Sequence, residues 1–367
     1  MAKGAGAGRG RRGDGGLGGR RRHGLAAARI EGQRGVPATP APDPAPGRPR
    51  APPRRCGGGG HRPTTGRRHD DRDREALVKV GLVVHAGRPA SWEVAAEAAR
   101  TLAELDIEVV ATVGGEPSGN AFPGDLAHHA EVVEPSAFAS EIELAISLGG
   151  DGTFLRAAHL CRDAGVAVLG VNLGRLGFLA EVERHDLGPV LRAVAAGEYR
   201  IEERDTLTME VHDADGEHLA SDWALNEVAV EKTVRQRLVL LDVYFDGTFF
   251  ARVPADALLL ATATGSTAYA LSAGGPIVSP RVAATLVVPV APHSLFDRTV
   301  VAGPEEVVRV ELLDGQASGL ASCDGRDPVA LEPGATVTVV GGGRPVLLAR
   351  VGLIDFPTLV RRKFGLR

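Results

Sequence analysis

The sequence predicts an α/β domain with a parallel sheet, followed by a domain of antiparallel β-strands. Two observations lead to this order. Continuous apolar strands alternate with helical segments as far as about residue 200, and short strands punctuated by Asp-Gly turns follow. The chain has 367 residues, of which 44% are apolar and 24% charged, and roughly 150 residues per domain leave room for two domains.

Residues 1–75 differ from the rest in composition and charge. They are mostly Gly, Arg, Pro and Ala, and they carry 18 Lys and Arg against 7 Asp and Glu, although the whole chain has a net charge of −4. Such a segment has too little apolar surface to offset its ordering entropy, so we expect a disordered tail. The alternative is a basic arm for nucleic acid or acidic surfaces, but composition alone does not specify one. We therefore expect no nucleic acid partner.

Simple patterns exclude several classes of protein. No run approaches the roughly 18 apolar residues of a membrane-spanning helix, and the first arginines are not followed by the apolar stretch of a secretory signal. Cys56, Cys161 and Cys323 stand apart from one another, which argues against a disulfide framework and a structural zinc site. We expect a protein of the reducing cytoplasm with no membrane partner.

The first domain is expected to span residues 76–200. Its strands are continuously apolar, as in a Rossmann-like parallel sheet that is covered on both faces, and its helices carry apolar residues at helical spacing. The predicted elements are strand Leu77–Val84, helix Trp92–Leu105, strand Ile107–Val113, strand Leu144–Leu148, helix Phe154–Ala164 and strand Val166–Val171.

The second domain is expected to span residues 201–345 and to be an antiparallel β-sandwich. Four Asp-Gly pairs, beginning at Asp215, Asp246, Asp314 and Asp324, separate its short strands. The predicted strands are Thr206–His212, Trp223–Glu231, Leu238–Phe245, Ala257–Thr262, Thr285–Pro289, Val307–Leu313, Leu320–Cys323 and Thr336–Val340. Phe356–Phe364 has the pattern of a short basic helix.

The turn Gly149–Thr153, with the sequence Gly-Gly-Asp-Gly-Thr, joins a predicted strand to a predicted helix. Glycines allow the backbone to approach a ligand, and free amides at the head of a helix bind phosphate. A carboxylate in a phosphate site is useful if Asp151 accepts a hydroxyl proton or helps to place a metal ion. The alternative is an ordinary turn in which Asp151 caps the helix.

Two further segments suggest a ligand site in the second domain. The segment Thr264–Pro276 crowds hydroxyls and glycines behind an apolar strand, which suits a ribose, a diphosphate or an amide, and Tyr269 offers a flat face for a base. Asn226 and Glu227 interrupt apolar strand residues, and a buried side chain there must find partners, for example ribose hydroxyls and a base. A surface loop and a cap are the respective alternatives.

Other residues give weaker indications. His293 is interpreted as structural, Asp324-Gly325 as a hairpin turn and Cys161 as a core residue. Asn172–Leu179 is a glycine-rich turn after a strand, at a sheet edge where ligands commonly bind.

Taken together, these segments resemble the NAD kinase family over roughly Val78–Arg367. The Gly-Gly-Asp-Gly-Thr turn alone also occurs in lipid kinases and phosphofructokinases, whereas its combination with Asn-Glu and Thr-Gly-Ser-Thr-Ala-Tyr is specific. The matching segments are Gly149–Arg156, Val171–Leu179, Leu225–Val228, Thr264–Pro276, Pro292–Leu295 and Cys323–Gly325.

The resemblance implies phosphorylation of the adenosine ribose 2′-hydroxyl of NAD by ATP, or by polyphosphate, with Mg²⁺ or another divalent cation. It implies the family's two-domain fold, with residues 346–367 returning to the α/β domain, and a homodimer or homotetramer. Asp151 matches the catalytic aspartate that accepts the hydroxyl proton, and the resemblance assigns no residue of the chain as a metal ligand.

The resemblance also implies a set of binding residues. Asp151, Gly152 and Arg156 match positions that line the nucleotide, and Asn226 and Glu227 match the pair that holds NAD. Arg237 and Arg326 align with binding positions that vary within the family. The NAD-binding motif is matched by Asp256, Thr267, Ala268, Tyr269, Ala270, Leu271 and Ser272.

The chain departs from the family pattern at three positions. Ala263 and Thr299 replace prolines, which should reduce stability through the unfolded chain. Ala257 replaces a glycine and adds a Cβ near the ligand, so NAD affinity is the property it should affect. The alternatives to a NAD kinase are a dinucleotide-binding regulator without turnover and a lipid kinase of the same superfamily.

Overall fold

The computed structural model describes residues 79–85, 89–114, 124–174, 177–180, 182–313, 318–352 and 354–367. All of these residues belong to one compact unit within residues 67–367. The expected tail, the start of the first predicted strand and the Asp314-Gly315 turn lie outside the described residues. No helix in the described ranges is both long enough and apolar enough to cross a membrane.

The first part of the chain forms an α/β sheet with its helices. Its elements are β1 Lys79–His85, α1 Pro89–Ala103, β2 Glu108–Gly114, α2 Gly124–Ala127, β3 Glu131–Val132, β4 Leu144–Gly149, α3 Asp151–Cys161, β5 Ala167–Asn172, β6 Val182–Glu183, α4 Leu187–Ala195 and β7 Arg200–Arg204.

The second part is almost entirely β-structure. Its elements are β8 Leu207–His212, β9 His218–Ala224, β10 Glu227–Lys232, β11 Val239–Phe245, β12 Thr248–Ala255, β13 Ala257–Ala261, α5 Tyr269–Ser272, β14 Thr285–Val290, β15 Val300–Ala302, β16 Val308–Leu312, β17 Gly319–Cys323, β18 Val329–Leu331, β19 Thr336–Gly341, β20 Val346–Arg350 and α6 Phe356–Phe364.

The α/β sheet has eight strands in the order β3-β2-β1-β4-β5-β20-β7, with β6 paired to β5. All neighbours are parallel except β7, which is antiparallel to β20. Helices α1 and α4 pack on one face, where Val80, Leu82 and Val84 point, and α3 packs on the face of Val83. The parallel sheet covered on both faces is therefore confirmed.

The remaining strands form two six-stranded antiparallel sheets. Their orders are β15-β14-β13-β10-β17-β18 and β12-β11-β16-β19-β8-β9. One apolar core combines alternate residues of both sheets, such as Leu258 and Val230 from the first and Leu241 and Val310 from the second. The sheets thus pack face to face, and the predicted β-sandwich is confirmed.

The sandwich is inserted between two neighbouring strands of the α/β sheet. The chain leaves that sheet at the end of β7 and returns in β20, the antiparallel partner of β7. The two connecting segments are tied together, since the Thr206 hydroxyl donates to the Arg344 carbonyl at 2.9 Å, and Nε of Arg162, the C-cap residue of α3, donates to the same carbonyl at 2.8 Å. This stem fixes the sandwich against α3.

Three predicted elements differ from the structure by three residues or more at a boundary. The helix predicted over Trp92–Leu105 begins at Pro89 and ends at Ala103. Trp223–Glu231 is not one strand, because β9 ends at Ala224 and β10 begins at Glu227. The amides in between donate to a side chain rather than to a neighbouring strand. The helix predicted to begin at Phe154 begins instead at Asp151 and ends at Cys161, a core residue as expected.

The predicted C-terminal helix Phe356–Phe364 is confirmed as α6. Asp355 caps its N-terminus by accepting from the Thr358 N–H at 2.8 Å, and Pro357 lies in the first turn. Gly365 ends it in the left-handed conformation with φ 62°. The sequence thus carried both boundary signals of this helix.

The core of the α/β domain leaves no space beside Gly81 of β1. A Cβ added there would lie 2.5 Å from the Phe138 ring and 2.6 Å from Ile142 Cδ1. We expect Gly81→Ala to lower the free energy of unfolding by about 1–3 kcal/mol, as overpacked cores do. The matched control is Gly188→Ala in α4, where the added Cβ meets nothing closer than 3.7 Å. Urea unfolding should show the control to be neutral or slightly stabilised, and equal effects of the two would contradict the packing argument.

Candidate active site

Asp151 lies where β4 ends and α3 begins, at the carboxyl edge of the parallel sheet. Gly149 packs so closely that a Cβ would lie 2.1 Å from Thr153 Oγ1. Gly150 is the extended N-cap residue of α3 and provides no side-chain cap. Asp151 does not act as the cap either, because its carboxylate points to another segment. The capping alternative for this turn is therefore wrong.

The Asp151 carboxylate is held by three consecutive backbone amides. Oδ2 accepts from the Phe178 N–H at 3.0 Å, and Oδ1 accepts from the N–H groups of Leu179 at 3.1 Å and Ala180 at 3.2 Å. Gly177 is required beside it, since a Cβ there would lie 2.0 Å from Oδ1. A carboxylate oxygen has two acceptor positions, so Oδ2 keeps one for a further donor.

A second aspartate holds the Asn226–Glu227 pair in the same way. Asp324, whose side chain is 3% exposed, accepts from the Leu225 N–H with Oδ2 at 2.8 Å. Its Oδ1 accepts from the N–H groups of Asn226 at 2.7 Å and Glu227 at 3.1 Å. Asp324-Gly325 does form a left-handed turn between β17 and β18, with φ 51° and 67°. This turn thus also places the Asp324 carboxylate against the gap between β9 and β10. This contact was not predicted from the sequence.

Glu227 is a buried carboxylate with an unused acceptor. Its Oε2 has no hydrogen-bond partner among the described residues. Burial, and next the negative charge of Asp324, raise the pKa of Glu227 to about 7, while the Tyr269 backbone N–H opposes the shift. Glu231 adds a smaller repulsion. This is the arrangement expected of an acceptor that awaits a donor from a ligand.

The segment after β13 is anchored on this pair. The Thr262 hydroxyl donates to the Leu225 carbonyl at 2.6 Å and accepts from the Gly265 N–H at 3.0 Å. Gly265 packs so tightly that a Cβ would lie 2.0 Å from the Asn226 carbonyl oxygen. Glycine at this position therefore allows the segment to lie directly against Asn226.

Most hydroxyls of this segment are used by the protein itself. Ser266 Oγ donates to the Ala263 carbonyl at 2.6 Å, and Thr267 Oγ1 donates to the Thr264 carbonyl at 3.1 Å. These two hydroxyls therefore do not offer a free donor to a ligand, because short hydroxyls in a tight turn bond to nearby backbone. Their role in the structure is to fix the segment that leads to Tyr269.

Tyr269 lies among carboxylates on the outer face of the sandwich. Its side chain is 39% exposed, and partial burial followed by the charges of Glu231, Asp256 and Glu227 raises the pKa of its hydroxyl. Asp256 forms an ion pair with Lys232. Ala257, 2% exposed, is paired with Glu231 across β10 and β13, so its methyl group lies on this same face.

The other predicted residues have different surroundings. Arg156 lies one turn after Gly152 on α3, and its buried Nε has no partner among the described residues. Arg326 is already bound, because it donates to Asp222 Oδ1 at 2.6 Å and to the Trp223 carbonyl. Arg237 lies on the exposed turn between β10 and β11, and no described contact links it to the pair.

The two halves of the site meet at the junction of the domains. Leu179, whose amide holds Asp151, packs in one apolar cluster with Phe154 of α3 and Leu225 of the sandwich. Phe178 and Thr267 line one small cavity at the same junction. The segment that holds Asp151 thus shares an apolar cluster, through Leu179, with Leu225, the residue before the Asn226–Glu227 pair.

Comparisons with known proteins identify the class to which this fold belongs. Residues 80–199 match the ATP-NAD kinase N-terminal domain, and residues 225–351 match the ATP-NAD kinase C-terminal domain. NAD kinase 2 of Streptomyces coelicolor is 42% identical over 287 residues, covering 78% of this chain and 94% of the relative. The NAD kinase of Thermobifida fusca is 41% identical over 289 residues, covering 78% and 88%.

The chain therefore belongs to the NAD kinase family, and it is an enzyme of the phosphotransferase class. Solved structures share its fold. Yeast NADH kinase complexed with NADH has a TM-score of 0.69 at 24% identity, covering 80% of this chain and 89% of that one. An Archaeoglobus fulgidus NAD kinase in complex with ATP has a TM-score of 0.59 at 22% identity, covering 79% and 98%.

The buried Glu227 should make stability depend on pH. Its pKa is about 7 in the folded chain against an ordinary value of 4.5, so its contribution favours the fold below pH 4.5 and is lost as the pH rises to about 7. We expect Glu227→Gln to remove this part of the pH dependence. Above pH 7 the variant should be more stable than the wild type, by up to about 3 kcal/mol.

Urea unfolding from pH 5 to 8 provides the measurement. Glu231→Gln is the matched control: Glu231 lies on the same strand and is as partly buried as Glu227, but it has no buried oxygen without a partner in the described ranges, so the change should alter the pH slope little. Parallel pH curves for the wild type and Glu227→Gln would contradict the assignment of a buried, unpaired carboxylate.

Proposed function

We propose that the chain is a NAD kinase, which transfers the γ-phosphoryl group of ATP to the 2′-hydroxyl of the adenosine ribose of NAD and so forms NADP. The observation that carries the proposal is the unused, buried Oε2 of Glu227, together with the Asp151 carboxylate that three backbone amides orient. The Glu227 carboxylate would bind a substrate that carries hydroxyl groups, and the Asp151 carboxylate lies at a turn suited to phosphate.

Asp151 would accept the proton of the attacking hydroxyl. Three amides fix its orientation before the substrate arrives, so no reorganisation is needed during the reaction. The remaining acceptor position of Oδ2 is available to the 2′-hydroxyl. A proton acceptor that is held in this way supports positioning of the nucleophile, which is most of what a phosphoryl transfer requires.

Glu227, Asn226 and Tyr269 would bind NAD. The Glu227 carboxylate would accept from the ribose hydroxyls, which would supply the donor that Oε2 lacks within the protein. The Asn226 side-chain amide would form hydrogen bonds with the base, and the half-exposed Tyr269 ring would offer a face on which the base can stack. Asp256 and residues 267–272 would complete the site.

The turn at the head of α3 would bind the phosphates of the donor. A Cβ added at Gly150 or Gly152 would meet nothing within 4 Å, so the backbone there is open to a ligand. Amides at the start of this eleven-residue helix favour an anion, and Arg156 adds a positive charge one turn later. Polyphosphate presents the same phosphate chain, so it is a second donor to test.

We propose that the metal ion is Mg²⁺, or another divalent cation, that arrives with ATP. No group of three or more His, Cys, Asp or Glu side chains suited to a metal occurs in the described ranges, and Asp151 is the carboxylate at the phosphate turn. This fits Mg²⁺, which is commonly held by substrate phosphates and one or two carboxylates. When bound, Mg²⁺ neutralises charge on the transferred phosphoryl group.

The activity is tested on the full chain with Mg-ATP and NAD, reading NADP with a coupled NADP-specific dehydrogenase. NADP formation supports the proposal. NAD binding without NADP formation would favour a dinucleotide-binding regulator, and phosphorylation of diacylglycerol in place of NAD would favour a lipid kinase. We also propose a cytoplasmic homodimer or homotetramer, whose size light scattering would give.

Asp151→Asn should bind NAD normally and lose turnover by about three orders of magnitude or more, because the amide cannot accept the hydroxyl proton. Calorimetry with NAD and steady-state kinetics separate binding from chemistry. The control is Asp163→Asn, an exposed carboxylate just beyond the same helix, which should keep wild-type turnover. Unchanged turnover of Asp151→Asn would remove Asp151 from the role of base.

A further inference from the structure

Asp324 is a buried carboxylate that the proposed reaction does not use. It takes part in no proposed contact with NAD or ATP, yet its three acceptor contacts are directed to the residues that carry the NAD site. Without it, the amides of Leu225, Asn226 and Glu227 would have no acceptor in the gap between β9 and β10. Unpaired buried amides are costly, so this side chain determines how the chain runs there.

Asp324 also acts on Glu227 through its charge. After burial, the charge of Asp324 is the largest cause of the raised pKa of Glu227. Burial also raises the pKa of Asp324 itself, although its three amide donors and Arg326 lower that pKa. The Arg326 guanidinium offsets Asp324 only partly, with Nη1 4.0 Å from Oδ2.

Other charges around Glu227 lie on neighbouring elements. Glu231 shares β10 with Glu227, and the Tyr269 hydroxyl of α5 and Asp256 at the start of β13 lie on the same face. Lys232 is committed to Asp256. Among the residues that the structure describes, Asp324 is therefore the acidic neighbour that both contacts the backbone of Glu227 and repels its side chain.

We propose that Asp324 is a positioning residue, which fixes the Asn226–Glu227 pair for the nucleotide and through its charge controls when Glu227 is free to accept a hydroxyl. The inference rests on the proposed function, since NAD supplies that hydroxyl. Asp324 has two separable effects on NAD binding: its hydrogen bonds set the affinity, and its charge sets the pH range in which binding strengthens.

Two variants separate these effects. Both Asn and Gly suit the left-handed backbone at residue 324, so both should fold. Asn keeps one acceptor oxygen for the amides but turns an N–H₂ toward one of them, whereas Gly has no acceptor. Both remove the negative charge. Asp327→Asn, an exposed residue of the same hairpin, is the matched control for charge.

NAD binding by the full chain is measured by calorimetry from pH 5.5 to 8.5. In the wild type, affinity should rise with pH as Glu227 ionises, with a midpoint near its pKa of about 7. In both variants the midpoint should move to lower pH by at least about half a unit, because a like charge is gone. At pH 8.5 affinity should fall about tenfold for Asn and further for Gly.

The outcomes distinguish the inference from the proposed function. If NAD affinity falls but the pH midpoint of binding does not move, Asp324 has only a structural role. If NAD binding is unchanged, Asp324 does not position the pair. Either result overturns this inference and leaves the proposed function standing. In a Glu227→Gln background the pH effect of Asp324→Asn should vanish. A wild type that does not bind NAD would instead overturn the proposed function.

Discussion

The candidate site depends on one interaction that occurs twice: an aspartate carboxylate that accepts from three consecutive backbone amides. In both Asp151 and Asp324, Oδ2 takes the first amide and Oδ1 takes the next two. Each carboxylate joins two segments that are distant in sequence, where the chain has left its regular sheet. Amides that lack a strand partner need an acceptor, and a charged one binds more strongly than a carbonyl.

These contacts explain why the site is rigid and yet contains two carboxylates that repel each other. Asp151 is held at the junction of the domains, whereas Asp324 is held close to another carboxylate, Glu227, which it repels. A fold selected for stability alone would place an apolar or neutral side chain at Glu227. A carboxylate with one buried oxygen that lacks a partner is instead the local departure from stability expected at a site that binds a ligand.

The sequence predicted the architecture because that depends on long patterns. Continuous apolar strands, Asp-Gly turns and the helix-boundary residues Asp355 and Gly365 each determine the structure of their own segment, so they can be identified from the neighbouring sequence. It did not predict contacts that depend on distant partners. Asn226 and Glu227 interrupt the apolar pattern of Trp223–Glu231, but nothing nearby shows that the strand itself stops there, since the cause is Asp324. Likewise, nothing near Arg326 shows that Asp222 already binds it. Gly177 had a signal in its glycine-rich turn, but its reason, the carboxylate of Asp151, lies in another element.

The insertion of the sandwich between β7 and β20 has a consequence for synthesis of the chain. β20 lies between β5 and β7, so the α/β sheet lacks an interior strand until the ribosome has passed Arg350. The sandwich strands, by contrast, are contiguous from Leu207 to Gly341. The domain translated first is therefore completed last, and until then β5 exposes an open edge. Nascent chains that stall before β20 should accordingly be the species that need chaperones.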